Sequence, residues 1–265
     1  MKNYFLPIAM LSMLLLFSCS EDQEEPAIDE NTVLEVMAVD NAIAEVQNLV
    51  NAADIPGGRM KDNHCATVNF NQEMNIMTLD FGTGCTGPAG INRSGKIMVE
   101  YNGTTEEWFK HTISFENYQV EGLKISGSIS SNFIAETASG SLKLSRSVSN
   151  FNIQYADNST LTLSNAQHTY EYVYGDIFDF SDDHVLVTGQ SSGITRKEIA
   201  FSSKIADQVK YSIPCMSDQI FYPVMGKIDL TIDGGNTYQL DFGGGECDKD
   251  VTVSIDNFSK TITLD

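Results

Sequence analysis

Two stretches of this chain carry residue types that chemistry uses. Leu79-Asp80-Phe81-Gly82-Thr83-Gly84-Cys85 nearly returns as Leu240-Asp241-Phe242-Gly243-Gly244-Gly245-Glu246-Cys247. A glycine-rich run after a strand could cradle a pyrophosphate. An Asp-Phe-Gly triad could hold a metal, and a cysteine could be a nucleophile, a ligand or half of a disulfide. Gly82-Thr83-Gly84-Cys85-Thr86-Gly87 does satisfy GxGxxG. That pattern binds phosphate only where a helix follows, because the helix N-terminus supplies the N–H groups. Here Pro88, Gly90 and an alternating stretch from Lys96 to Tyr101 follow, and the second copy breaks the pattern. Neither Asp-Phe-Gly is accompanied by an HRD loop or a Walker-type lysine. The structural reading remains: Leu and Phe on one strand face, Asp on the other, then glycines that permit a tight turn or bulge. The cysteine that follows staples the turn to an earlier strand.

Cys19 stands apart from Cys65, Cys85, Cys215 and Cys247. An even count in an exported chain reads as disulfides. Four thiols allow three pairings. Each copy of the repeat holds two, which favours Cys65–Cys85 and Cys215–Cys247, each contributing on the order of 3 to 4 kcal/mol by loop-closure entropy. Zinc sites use close pairs such as CxxC, and none is present.

Other chemistry is thinner. His64, His111, His168 and His184 are scattered and form neither HxH nor HxxxH. No GxSxG elbow occurs. Asp176, Asp179, Asp182, Asp183 and His184 are the densest polar cluster, but they lack the spacing and the glycine of a calcium loop. Paired carboxylates for glycoside hydrolysis need two side chains roughly 5 to 10 Å apart, and acids are abundant enough for such a pair to arise by chance. Trp108 and Phe109, with Tyr170, Tyr172 and Tyr174, are the candidate ligand-binding residues, because aromatic faces can stack on a sugar. The competing reading of the tyrosine row is a sheet face covered by the core or by a helix. No catalytic residue, metal ligand or cofactor is assigned.

The elements that would position these residues are clear. Asn31 to Asp54 reads as a helix, with Thr32 and Glu35 fitting a capping box. Val36, Val39, Ile43, Val46 and Val50 form one apolar stripe, and Pro56-Gly57-Gly58 ends the segment by residue 58. Such a stripe packs on its own sheet more often than it forms a coiled-coil seam. Beyond residue 58 the period becomes two. Ile97/Val99/Tyr101, Leu142/Leu144, Phe151/Ile153/Tyr155, Val209/Tyr211/Ile213, Ile228/Leu230/Ile232, Tyr238/Leu240/Phe242 and Val251/Val253/Ile255 alternate, with turn formers between. Short alternating strands imply a mainly β fold, with one antiparallel domain over 59–265 built as a curved sheet, a sandwich or an incomplete barrel. One N-terminal helix packs against it.

The first 18 residues read as a signal peptide: a basic start at Lys2, then an apolar run from Leu6 to Phe17. That run is shorter than the ~20 residues of a spanning helix. Leu16-Phe17-Ser18-Cys19 resembles the bacterial lipobox, which implies cleavage before Cys19 and acylation of it; more than one acyl chain anchors stably. Residues 19–30 form an acidic tether with Glu21, Asp22, Glu24 and Glu25. Formal net charge is −20 with Lys2 included, so a chain starting at Cys19 carries −21. That balance excludes nucleic acid, whose phosphates require Lys and Arg, and adhesion to anionic headgroups through a basic patch.

The blocks "TLDFGTGCTGPAGINRSGKIMVEYNG", "FENYQVEGLKISGSIS" and "MGKIDLTIDGGNTYQLDFGGGECDKDVTVSIDNFSKTITLD" resemble a family of Bacteroidetes lipoproteins. Its pattern is a DFGxGC block near the start and a related DFGxGxCD block at the end. The Ser-plus-acidic run after Cys19 is likewise similar to the surface-export signal of such lipoproteins. The resemblance spans about residues 60 to 265. It implies a lipid-anchored, outer-membrane address, at the cell surface or alternatively on the inner face of that membrane, with a β architecture; it brings no catalytic residue. The family's Asn after the closing Cys-Asp is Lys249 here. The expected role is therefore non-enzymatic, structural or binding. Capture of polysaccharide is one alternative, and a hydrolase site assembled from distant acids is another. Expected partners are the membrane through the lipid, and polysaccharide or envelope proteins.

Overall fold

The computed structural model describes residues 28–54, 65–87, 90–103, 110–137, 140–175, 180–218 and 220–264. Cys19, His64, Trp108, Phe109, Asp176, Asp179 and the expected helix stop at Pro56-Gly57-Gly58 lie outside them.

One antiparallel sheet of 14 strands runs in chain order. The strands are β1 (Thr67–Asn71), β2 (Ile76–Asp80), β3 (Cys85–Thr86), β4 (Asn92–Tyr101), β5 (His111–Val120), β6 (Leu123–Glu136), β7 (Leu142–Gln154) and β8 (Thr160–Val173). They continue with β9 (His184–Ile194), β10 (Ala200–Ser212), β11 (Met225–Ile232), β12 (Thr237–Gly244), β13 (Asp250–Ile255) and β14 (Phe258–Thr263). The short β3 pairs beside β4, off the main path, and the sheet is open, with β1 and β14 at its two edges. The period-two pattern explains the faces. Leu79, Ile97, Val99, Ile113, Ile129, Leu163, Leu230, Leu240, Val251 and Val253 are all fully buried on one side. Ser and Thr pairs such as Thr231–Thr237 and Thr252–Thr261 bond to each other on the wet side, at 2.8 and 3.1 Å.

The helix, α1 (Glu30–Asp54), packs on the dry side. Val33, Val36, Met37, Val39, Ile43, Val46, Leu49 and Val50 share one core with the sheet. The stripe is thus a sheet-packing face. Its cap differs from the expected box. Asp29 is the capping residue: one carboxylate oxygen accepts from the Thr32 backbone N–H at 3.2 Å, and the other accepts from the Thr32 hydroxyl at 2.8 Å. Glu35 turns elsewhere and accepts from the Arg196 backbone N–H at 3.1 Å. Ile28 packs against the core, so residues 28–30 belong to the domain rather than to a solvated tether.

The two repeat copies form the same hairpin in opposite chain order. In the first, Asp80 faces Lys96 and Leu79 faces Ile97 across β2 and β4. In the second, Asp241 faces Lys227 and Leu240 faces Ile228 across β12 and β11, with a Lys227–Asp241 ion pair at 3.3 Å. Each Asp accepts from the N–H two residues on, Gly82 at 2.8 Å and Gly243 at 3.0 Å. These are Asx turns whose glycines sit at φ 61° and 77°. The partner strand of each copy carries a bulge glycine, Gly95 or Gly226, where a Cβ would meet a backbone carbonyl oxygen at 2.1 or 2.5 Å. Bulges recur along the sheet, between Ser94/Lys96, Ser126/Ser128 and Met225/Lys227 among others. Each adds local bend, which wraps the sheet around α1. Disulfides then fasten both copies, Cys65–Cys85 and Cys215–Cys247, with Cα separations of 6.0 and 5.4 Å.

One local expectation changes. Val209/Tyr211/Ile213 does not continue as strand. After β10 the chain enters a single-turn helix, α2 (Ile213–Ser217), capped by Ser212 with Pro214 in its first turn. Proline fits there because it has no N–H to leave unpaired.

Candidate functional site

Three contacts fix where α1 lies. Glu30 takes an ion pair from Lys260 of β14 at 2.5 Å, Glu35 meets the turn after β9, and Glu45 pairs with Arg93 at the start of β4. Antiparallel alternation puts Arg93 and Arg196 at the same end of the strands. The helix, about 38 Å long at 1.5 Å per residue, therefore bridges the concave face and is held at one end of the strands.

Toward the other end a pocket of about 120 Å³ remains between α1 and β7–β11. Its apolar wall includes Ile43, Val148, Val187, Val209 and Ile228, and α2 contributes Ile213 and Met216. Its polar groups include Asp40, Arg146, His168, Tyr170, Tyr172 and Tyr211, with Gln47, Asn48, Asn51, Ser203 and Ser217.

Arg146 dominates the electrostatics. It sits on the dry face of β7 in register with Leu144 and Val148, and is only 4 % exposed. Its Nε donates to Ser131 Oγ and its Nη2 to Tyr172 Oη, both at 3.4 Å. The guanidinium carbon lies 4.0 Å above the Tyr170 ring. All these partners are neutral. Among the described residues, no carboxylate forms an ion pair with Arg146. Arginine cannot shed its proton in a protein, so the pocket holds a fixed buried cation supported by hydroxyl dipoles and a ring face.

The other titratable groups are neutral or poised. Burial pushes the Asp40 carboxyl up to about 7. It accepts no hydrogen bond from the described residues, and it lines the pocket. Burial, helped by the Arg146 charge, pulls His168 down to about 4. Its neutral ring stands edge-to-face with Tyr170, centroids 6.2 Å apart. Burial raises the Tyr170 phenol, with Arg146 opposing and Asp40 adding. Burial and Asp40 together hold Tyr211 well above its ordinary value. At neutral pH Tyr170 and Tyr211 are uncharged donors.

Asp40 is the one carboxylate among the lining residues, whereas glycoside hydrolysis uses two. The Ser203 hydroxyl is engaged with Ser191 at 3.1 Å. Among the described residues, no group of three or more His, Cys, Asp or Glu stands together as a metal would need.

Of the residues singled out from sequence, Tyr170 and Tyr172 line the pocket, while Tyr174 is 55 % exposed beyond it. His111 is buried beside the Tyr101 ring. His184 bonds through Nδ1 with the Asp182 carbonyl, and Asp183 accepts from the Gly175 N–H at 2.9 Å, so these polar groups tie a loop together. Sequence reasoning did not single out Arg146, Asp40 or Tyr211, and it set His168 aside as scattered. A signal was present. Arg146 continues the Leu142/Leu144 alternation into the dry register, and Asp40 sits four residues after Val36 and three before Ile43 on the helix stripe.

No family profile, curated protein or solved structure matches this chain. Among the described residues no helix is long and apolar enough to cross a membrane.

Proposed function

We propose that this chain is a lipid-anchored protein of the bacterial outer membrane, displayed at the cell surface, that binds a small organic ligand in the pocket between α1 and β7–β11. The observation that carries the binding role is Arg146, a buried cation on a pocket wall with no carboxylate partner. A buried charge of that kind is costly unless something completes it. Perturbed titratable groups gathered at a partly apolar pocket are the usual mark of a ligand site.

The address is supported by Leu16-Phe17-Ser18-Cys19, by the acidic run after it, and by the resemblance to Bacteroidetes lipoproteins. Two disulfides suit an oxidising compartment. Glycan capture has less support. The face of Tyr170 that a sugar would stack on is covered by Arg146, and Tyr174 stands alone among the exposed tyrosines of that row.

Two measurements test the reading. Palmitate labelling in cells should mark the wild-type chain and not Cys19→Ala. A thermal-shift panel of small organic ions and neutral compounds should contain ligands whose saturable stabilisation disappears in Val187→Phe, which fills the pocket. A panel in which every compound acts equally on both proteins contradicts the binding role.

A further inference from the structure

We propose that the pocket selects a small monocarboxylate with a compact apolar body, its carboxylate held by Arg146 and its body against Ile43, Val148, Val187 and Val209. This rests on the binding role given above and adds the class of ligand.

The fixed charge of the pocket is the one positive charge of Arg146, and its present partners are all neutral. An anion is the group that completes it. A guanidinium presents a planar fork of N–H donors that matches the two oxygens of a carboxylate. The Tyr172 hydroxyl is already oriented by Arg146, and a hydroxyl that accepts from arginine has its own proton free to donate. One cation and neutral donors suit a single negative charge.

A phosphate or sulfate is disfavoured on the same grounds. No second Lys or Arg lines the pocket. The part of α1 that lines it begins at Asp40, ten residues into the helix from Glu30, so the N–H groups of the helix start are remote. Asp40 adds negative charge whenever it ionises, and a dianion would feel that twice over.

Size and polarity set the rest. The pocket volume, about 120 Å³, is close to the roughly 150 Å³ of an apolar cavity that accepts a benzene ring. Branched aliphatic residues face it, among them Ile43, Val148, Val187, Val209 and Ile228. A strongly hydrated ligand would leave hydroxyls unpaired against those side chains. A ring or a branched chain of about six carbons, carrying one carboxylate, satisfies both walls.

Titration calorimetry on the detergent-solubilised full-length protein tests this with benzoate, benzyl alcohol and inorganic phosphate as probes. Benzoate should bind saturably. Benzyl alcohol, alike in shape and uncharged, should bind about 30-fold or more weakly, as the loss of a charge-assisted hydrogen bond implies. Phosphate should give no binding heat. Arg146→Gln should weaken benzoate by a similar factor and benzyl alcohol much less. Should Arg146→Gln fail to fold, Tyr172→Phe removes the neighbouring hydroxyl alone and should still weaken benzoate selectively. Equal binding of benzoate and benzyl alcohol, both lost in Val187→Phe, would overturn the carboxylate inference and leave the pocket as a binding site. Binding of phosphate in place of benzoate would overturn it too. Absence of any probe binding that Val187→Phe abolishes would overturn the carboxylate inference, while the binding role stands or falls with the wider thermal-shift panel.

Discussion

Replacing Asp40 by Asn should stabilise the protein at pH 8 and change little at pH 4. The carboxyl is held near pH 7 by burial, against an ordinary value of 3.8. Between those values the folded chain keeps a proton that the unfolded chain has released. Folding therefore loses stability as pH rises through that window, at about 1.4 kcal/mol per pH unit, and the loss levels off above pH 7. Summed over the window, the penalty at pH 8 is on the order of 4 kcal/mol. His168 acts in the opposite direction. Its folded value near 4 lies below the ordinary 6.5, so its contribution rises from pH 4 to 6.5. The two slopes nearly cancel in the wild type over that range, which is why the variant must be compared with the wild type at each pH. Asparagine is close in shape and never ionises. Urea unfolding at pH 4, 5, 6, 7 and 8 should give a variant-minus-wild-type difference that starts near zero and climbs to on the order of 3 to 4 kcal/mol. A flat difference across this range would refute a proton-holding Asp40. Such a residue is expected at a functional pocket, where stability is commonly exchanged for function.

Other perturbations test the frame around the pocket. Replacing Cys65 and Cys85 together by Ala, or Cys215 and Cys247 together, opens sequence separations of 20 and 32 residues; each pair should cost on the order of 3 to 4 kcal/mol in denaturant unfolding. Glu45→Gln leaves the Arg93 cation, 1 % exposed, without its carboxylate, and should cost about 3 to 5 kcal/mol by thermal unfolding. Replacing both partners by Arg93→Met and Glu45→Leu should recover most of that loss. Gly95→Ala drives a Cβ to 2.1 Å from the Asn117 carbonyl oxygen, whereas Gly82→Ala meets open space. The first should cost on the order of 3 kcal/mol or more, and the second about 1 to 2 kcal/mol from its left-handed backbone alone. Equal melting points for the two glycine variants would argue against the bulge device.

Much of the frame is legible in the sequence because it follows local rules. The α1 stripe from Val36 to Val50, the alternation of β11 to β13 and the cysteines shared between repeat copies all carry their own signal. Strands β5 and β6 are harder. Their buried residues run Ile113 to Tyr118 and Ile125 to Ile129, and the bulges opposite Gly95 and at Gly127 shift the phase partway. The cap is hard to read because Asp29 lies in an acidic run whose composition suits a solvated tether, although Asp29 binds Thr32. The pocket is the least legible part. Tyr170 and Tyr172 stand out by period, but a face of tyrosines reads equally as core. Arg146 and Asp40 stand far apart in sequence, and only the curvature that the bulges impose brings β7 to β11 around α1. The useful local clue is a charged residue where the period demands an apolar one.

A crystal structure of the protein with 4-bromobenzoate, phased at the bromine edge, is the most direct test of the pocket as an anion-headed site. A single strong bromine peak is expected within the pocket, against Val148, Val187 and Val209, with the carboxylate oxygens within hydrogen-bond distance of Arg146. Bromine located only outside this pocket, with Arg146 contacting nothing but Ser131, Tyr170 and Tyr172, would contradict it.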